Sequence, residues 1–169
     1  MPPPEGWPWL LGGVSGRMGK KAVAWQTYDF SIGALDASVW AGETDGMVGF
    51  HLRALPPGKP KAKRMMLVVI ADIGKELRVG PAAGAIKVDI LRYDKREGAR
   101  MSSEGQSASL VIDRLARDAD SNTYGKVSGK VTARLCPIKW AGKACQDFSA
   151  TFVTGMQFDG TFEIVEGGQ

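Results

Sequence analysis

Between Lys126 and Leu135 the chain alternates without a fault. Val127, Gly129, Val131, Ala133 and Leu135 fall on one side; Lys126, Ser128, Lys130, Thr132 and Arg134 fall on the other. Strict period two belongs to a strand with one buried and one wetted face, whereas a helix would scatter these residues around its circumference. The rhythm recurs where Val48, Phe50, Leu52 and Ala54 alternate with Gly49, His51 and Arg53, and where Ile86, Val88 and Ile90 alternate with Lys87 and Asp89. It recurs again at Ala108, Leu110 and Ile112. Met65–Ile73 is almost continuously apolar, the pattern of a central strand covered on both sides. Runs rich in β-branched and aromatic residues predict further strands at Ala22–Phe30, at Ala37–Trp40, through Phe148, Ala150 and Phe152, and around Phe158, Phe162 and Ile164. Turn signals such as Asp45-Gly46, Gly80-Pro81 and Glu104-Gly105 separate these runs. The expected fold is all-β, an antiparallel sandwich or flattened barrel of about nine or ten strands. One short helical turn is expected at most, around Arg114–Asp118.

A chain of 169 residues, 44% hydrophobic and 24% charged, buries a core without help from a metal or a disulfide framework. Residues 21–166 read as a single β domain. Residues 1–20 read as a flexible arm or linker: Pro2, Pro3 and Pro4 can neither begin a helix nor pair in a central strand, and Gly12, Gly13, Gly16 and Gly19 follow closely. Trp7 and Trp9 are candidate anchors in this arm, either onto the domain itself or onto a partner. The glycines ahead of Lys20 evoke a phosphate loop, but their spacing is wrong and Lys21 stands where a hydroxyl ligand is required. No apolar run approaches the roughly 20 residues of a membrane helix.

Lys and Arg number 22 against 18 Asp and Glu, an excess too small to mark a nucleic-acid reader. The distribution is more telling. Lys59, Lys61, Lys63 and Arg64 crowd a stretch without acids, between Pro56-Pro57-Gly58 and an apolar run, and so occupy a loop between two strands. That loop is either a solvated tip or a docking site for an anionic or acidic partner. Lys126, Lys130 and Arg134, continued by Lys139, Lys143 and Trp140, form a second cationic stretch with an aromatic residue near its end.

The two cysteines, Cys136 and Cys145, fall where two strands of a hairpin enter and leave a loop. Cross-strand neighbours lie within about 4.5–5.5 Å at Cβ, close enough to bridge. A hairpin disulfide is expected, with two buried thiols or a metal or redox pair as the alternatives. A disulfide implies an oxidising compartment, periplasmic or extracellular. The N-terminal residues lack the basic start and sustained apolar segment of a secretory signal, which leaves a processed chain or a cytoplasmic one with reduced cysteines.

Motifs for catalysis are thin. One histidine excludes the two-histidine zinc motifs. His51 lies beside Arg53 on the polar face of its strand, with Glu43 and Asp45 as the nearest acids in sequence. Gly13-Val14-Ser15-Gly16 carries Arg17 where a nucleophile elbow needs glycine. Asp118, Asp120 and Asn122 begin like a calcium loop, yet Thr123 and Gly129 occupy the positions of its glycine and bidentate glutamate. A hairpin turn built on Asx chemistry is the simpler reading, with a calcium loop of another kind on Asp118, Asp120 and Asn122 as the alternative.

The order GQSASLVIDRL, YGKVSGKVTARLC and CQDFSATF, spanning Gly105–Phe162, resembles small secreted or lipoprotein-type bacterial β-sandwich domains of unknown function. The resemblance implies a sandwich and export, and carries no catalytic residues. The expected function is a non-enzymatic exported or cell-surface binding or assembly module. Its candidate contact residues are Lys59, Lys61, Lys63, Arg64, Trp140, Trp7 and Trp9. Its expected partner is a protein or an anionic surface, with no cofactor, no specific nucleic acid and oligomerisation left open. The alternative is a small apolar-ligand carrier with a barrel cavity lined by Phe50, Val88, Leu110 and Phe152. A hydrolase using carboxylates such as Glu43 and Asp45 is a third, weaker reading.

Overall fold

The computed structural model describes residues 9–29, 39–57, 65–92, 99–119, 121, 123–138, 144–159 and 162–168. Thirteen strands run through them: β1 (Trp9–Met18), β2 (Lys21–Asp29), β3 (Val39–Thr44), β4 (Met47–Ala54), β5 (Met65–Gly74), β6 (Glu76–Arg78), β7 (Gly80–Pro81), β8 (Ile86–Arg92), β9 (Ala99–Ser102), β10 (Ala108–Arg117), β11 (Tyr124–Pro137), β12 (Gln146–Asp159) and β13 (Glu163–Val165). The fold is all-β, as the alternation predicted. The surplus over nine or ten strands lies in β1 and in pieces of two to four residues, too short to show a period.

The strands hydrogen-bond in the order β2-β1-β12-β3-β4-β5-β8-β9-β11-β10-β7, and β12 also pairs with β11. That extra pairing closes a circuit through β11, β12, β3, β4, β5, β8 and β9, giving a flattened barrel. The central seam is antiparallel, with β11 and β12 in register from Tyr124 opposite Gln157 to Leu135 opposite Gln146. Within this sheet only the end of β12 pairs in parallel, Gln157–Asp159 lying against Trp40–Gly42 of β3, while β13 and β6 form a separate two-stranded parallel sheet. Closure removes most of the free strand edge that an open sheet exposes. The outer edge of β10 is covered by β7 and, at Leu115, by Gly167.

Inward residues follow the predicted sets. Val48, Phe50, Leu52 and Ala54 are buried on β4, and Val127, Val131, Ala133 and Leu135 on β11. They meet Phe148, Phe152, Leu110 and Ile112 in one core. Phe50 and Phe152 touch across it with ring centroids 5.8 Å apart, and Trp25 packs edge-on against Phe148 at 5.9 Å. β5 is covered on both sides, as its apolar run foretold. Leu67, Val69 and Ala71 join the main core, while Met66 and Val68 join a smaller cluster with Tyr28 and Leu55.

Two expectations are corrected. The first is the arm over residues 1–20: Trp9–Met18 is strand β1, seated between β2 and β12. Gly12 and Gly16 are required by close packing. A Cβ at Gly12 would stand 2.1 Å from the Val153 carbonyl oxygen, and one at Gly16 only 2.0 Å from that of Ser149. Met1–Pro8, with Trp7, lie outside the described residues. The second is the helical turn at Arg114–Asp118, where β10 continues as strand through Arg117. A register shift between Ile112 and Arg114 turns Asp113 and Arg114 outward together and returns Leu115 to the core. A bulge thus spaces Ile112 and Leu115 three apart, the interval of a helix face.

Candidate functional site

Of the residues expected to make contacts, Lys59, Lys61, Lys63 and Arg64, between β4 and β5, lie outside the described residues, as does Trp140. Trp9 opens β1 in register with Asp29, and its side chain is likewise outside the description. The described strands fix where the two loops depart. Met65, just after the basic segment, pairs with Arg92 of β8. Pro137 of β11, just before the Trp140 segment, pairs with Met101 of β9.

The cysteine expectation is resolved. Cys136 and Cys145 form a disulfide with Cα atoms 4.1 Å apart, and neither cysteine is free. The geometry follows from the seam: Leu135 and Gln146 are register partners, so the next residue outward on each strand stands across the mouth of the hairpin. The bridge ties the root of the segment that carries Trp140. It replaces the alternative of two free thiols.

His51 acquires neighbours that were not foreseen. Trp40 of β3 is its register partner, and the two rings stack 4.7 Å apart with planes 4° from parallel. The Arg53 guanidinium carbon lies 5.6 Å from the centroid of the Trp40 ring. Partial burial, and secondarily Arg53, hold the imidazole below its ordinary value of 6.5, with Asp72 pulling the other way. The group is therefore neutral and stacked at neutral pH. Glu43 follows the alternation of Val39 and Ala41, so it lies on the opposite face of the sheet from Trp40 and His51. Asp45 sits in the hairpin turn with φ 53°. Neither acid is aligned with the imidazole as an orienting group.

The aspartate-rich turn joins β10 and β11. The Asp118 amide donates to the Tyr124 carbonyl, and the Ser121 hydroxyl accepts from the amides of Thr123 and Tyr124 at 3.0 and 3.1 Å. The Asp118 carboxylate accepts from Lys126 at 3.0 Å. Asp120 and Asn122 lie outside the described residues. Among the described residues no three metal-ligating side chains gather. Ion pairing also reshapes the β11 cations. Lys126 is matched by Asp118, and Arg134 by Asp147 at 2.8 Å. Lys130 has no ion-pair partner among the described residues.

The four side chains expected to line a carrier's cavity, Phe50, Val88, Leu110 and Phe152, are all buried members of the packed core. A different recess lies outside the barrel, against the C-terminal segment; it was illegible beforehand, because a bulge and a bridge between distant residues create it. No helix among the described residues is long and apolar enough to cross a membrane. The barrel and its bridged hairpin define a disulfide-containing all-β protein. The chain matches no protein-family model, no curated protein and no solved structure.

Proposed function

We propose that this chain is an exported, non-enzymatic binding or assembly module. It acts through the basic loop Lys59, Lys61, Lys63 and Arg64 and through the Trp140 loop, assisted by Trp7 and Trp9. The observation that carries this reading is the Cys136–Cys145 bridge. Disulfides persist in oxidising compartments. A covalent tie at the root of the Trp140 segment also lowers the entropy lost when that segment is ordered on a partner. The direct Phe50–Phe152 contact supports a surface mode of action over a carrier's interior one. The cationic loop favours an acidic protein or another anionic surface as the partner.

The test has two parts. Intact mass of the protein from its native host, without reductant, is expected to be two hydrogens below the fully reduced chain. The reduced mass would remove export. Full-length protein, tagged and incubated with the host's envelope fraction, is expected to retain a partner that the Lys59→Ser, Lys61→Ser, Lys63→Ser, Arg64→Ser variant loses. Equal retention by that variant would place the contact elsewhere.

A further inference from the structure

A cleft of about 420 Å³ lies between the outer face of β10, β11 and β12 and the C-terminal segment. Arg114, Lys126, Ser128, Val153, Glu166 and Gly168 are among the residues that line it. Three independent features set it apart from ordinary sheet surface. The bulge in β10 turns Arg114 outward, opposite Ser128. There Arg114 has no ion-pair partner among the described residues, while Glu166 and Asp118 are engaged. Glu166 is held by Arg117 at 3.0 Å, and Asp118 by Lys126 at 3.0 Å. Val153 is 70% exposed on the cleft surface. Its two cross-strand partners are Ser128 and Gly13, a short side chain and none at all, so nothing shields it. The wall is closely built. Gly167 exchanges backbone hydrogen bonds with Leu115, and a Cβ at Gly168 would stand 2.2 Å from the Asp113 carbonyl oxygen.

We infer that this cleft binds a small monocarboxylate carrying a short aliphatic chain. The carboxylate pairs with the Arg114 guanidinium, whose forked donors match two carboxylate oxygens, with Lys126 and the Ser128 hydroxyl beside it. The chain lies along Val153 and removes that side chain from water. The pairing of Glu166 with Arg117 and of Lys126 with Asp118 leaves about one uncompensated positive charge, on Arg114, which suits a monoanion, and phosphate would gain nothing from Val153. This site is separate from the loops proposed above, and each can fail without the other.

Octanoate is the probe, titrated into the full-length protein and followed by amide chemical shifts and by calorimetry. Saturable binding is expected at millimolar concentration or below, with the largest shifts at Ser128, Val153, Gly167 and Gly168. Arg114→Gln is expected to weaken binding about tenfold or more, the scale of a charge-assisted pair. Lys126→Gln and Val153→Thr are expected to weaken it severalfold. Octanol and inorganic phosphate, each lacking half of the ligand, are expected to bind at least about tenfold more weakly than octanoate. Absence of saturation, undiminished affinity in Arg114→Gln, or phosphate binding as tightly as octanoate would each overturn the proposal, the last by reducing it to an adventitious ion only. Arg114 makes no ion pair among the described residues and is exposed, so its variant is expected to fold, with an unchanged thermal midpoint as the check.

Discussion

His51 is the single histidine in the chain, so its titration can be followed without overlap. Its folded-state value is lowered, and the sign of the consequence follows from linkage. As pH falls through the ordinary value of 6.5, the unfolded chain takes up a proton before the folded one does. Stability attributable to His51 is therefore unaffected above that value, declines as pH drops toward the folded value, and is fully lost below it. Urea unfolding at about pH 7.5 and about pH 5 is expected to show this decline in the parent protein, and a smaller one in His51→Gln. An equal decline in both would assign the effect to carboxylates instead. The Trp40–His51 stack was within reach of sequence reasoning. Asp45-Gly46 is a two-residue turn with φ of 53° and 80°, the type I′ geometry that such a pair favours. That turn pairs Thr44 with Met47, and counting outward brings Trp40 opposite His51. What could not be counted out was the position of Asp72 relative to the ring, which depends on β5.

At the scale of elements, the glycines of β1 illustrate how composition misleads. Gly12, Gly13 and Gly16 in a short span suggest a linker, because glycine costs a strand both entropy and side-chain packing. Here the backbone of β12 approaches so closely that no side chain fits at Gly12 or Gly16. Gly16→Ala is accordingly expected to destabilise the fold by about 2 kcal/mol or more, because the atom it meets is a backbone oxygen that cannot rotate aside. Gly46→Ala makes the matched control for a turn glycine, since a Cβ there meets nothing within 4 Å and only its φ of 80° is strained. Chemical denaturation of both variants checks the ranking. Long strands with clean alternation were legible because one face is buried along their whole length, as β4 and β11 show. β6, β7 and β13 were not, since two or three residues carry no period and their pairing partners lie far away in sequence. The bulge at Asp113 belongs to the same class of omission. It breaks the alternation of β10 for one residue, imitates a helical interval, and creates the outward Arg114 on which the cleft depends.

For the molecule as a whole, the disulfide adds to a core that is already continuous. Cys136 and Cys145 are nine residues apart, and closing so short a loop is worth about 2–3 kcal/mol in the chain-entropy account. Reduction, or the Cys136→Ser, Cys145→Ser variant, is expected to lower the thermal midpoint by roughly 5–10 °C while leaving the β signature intact. Loss of the fold on reduction would mean that the core alone is insufficient. The all-β class and the hairpin bridge could be read from residues and spacing, because both are local. Closure of the barrel could not, since it rests on β12 meeting β11 along one edge and both β1 and β3 along the other. That arrangement has a temporal consequence. Gly12 is partnered by Thr154, so β1 lacks its β12 neighbour until synthesis has passed Thr154. Pairings of such long sequence separation form slowly. A ribosome-bound chain would hold the β1–β2 hairpin with only the Gln26–Leu55 bridge beside it until β12 emerged.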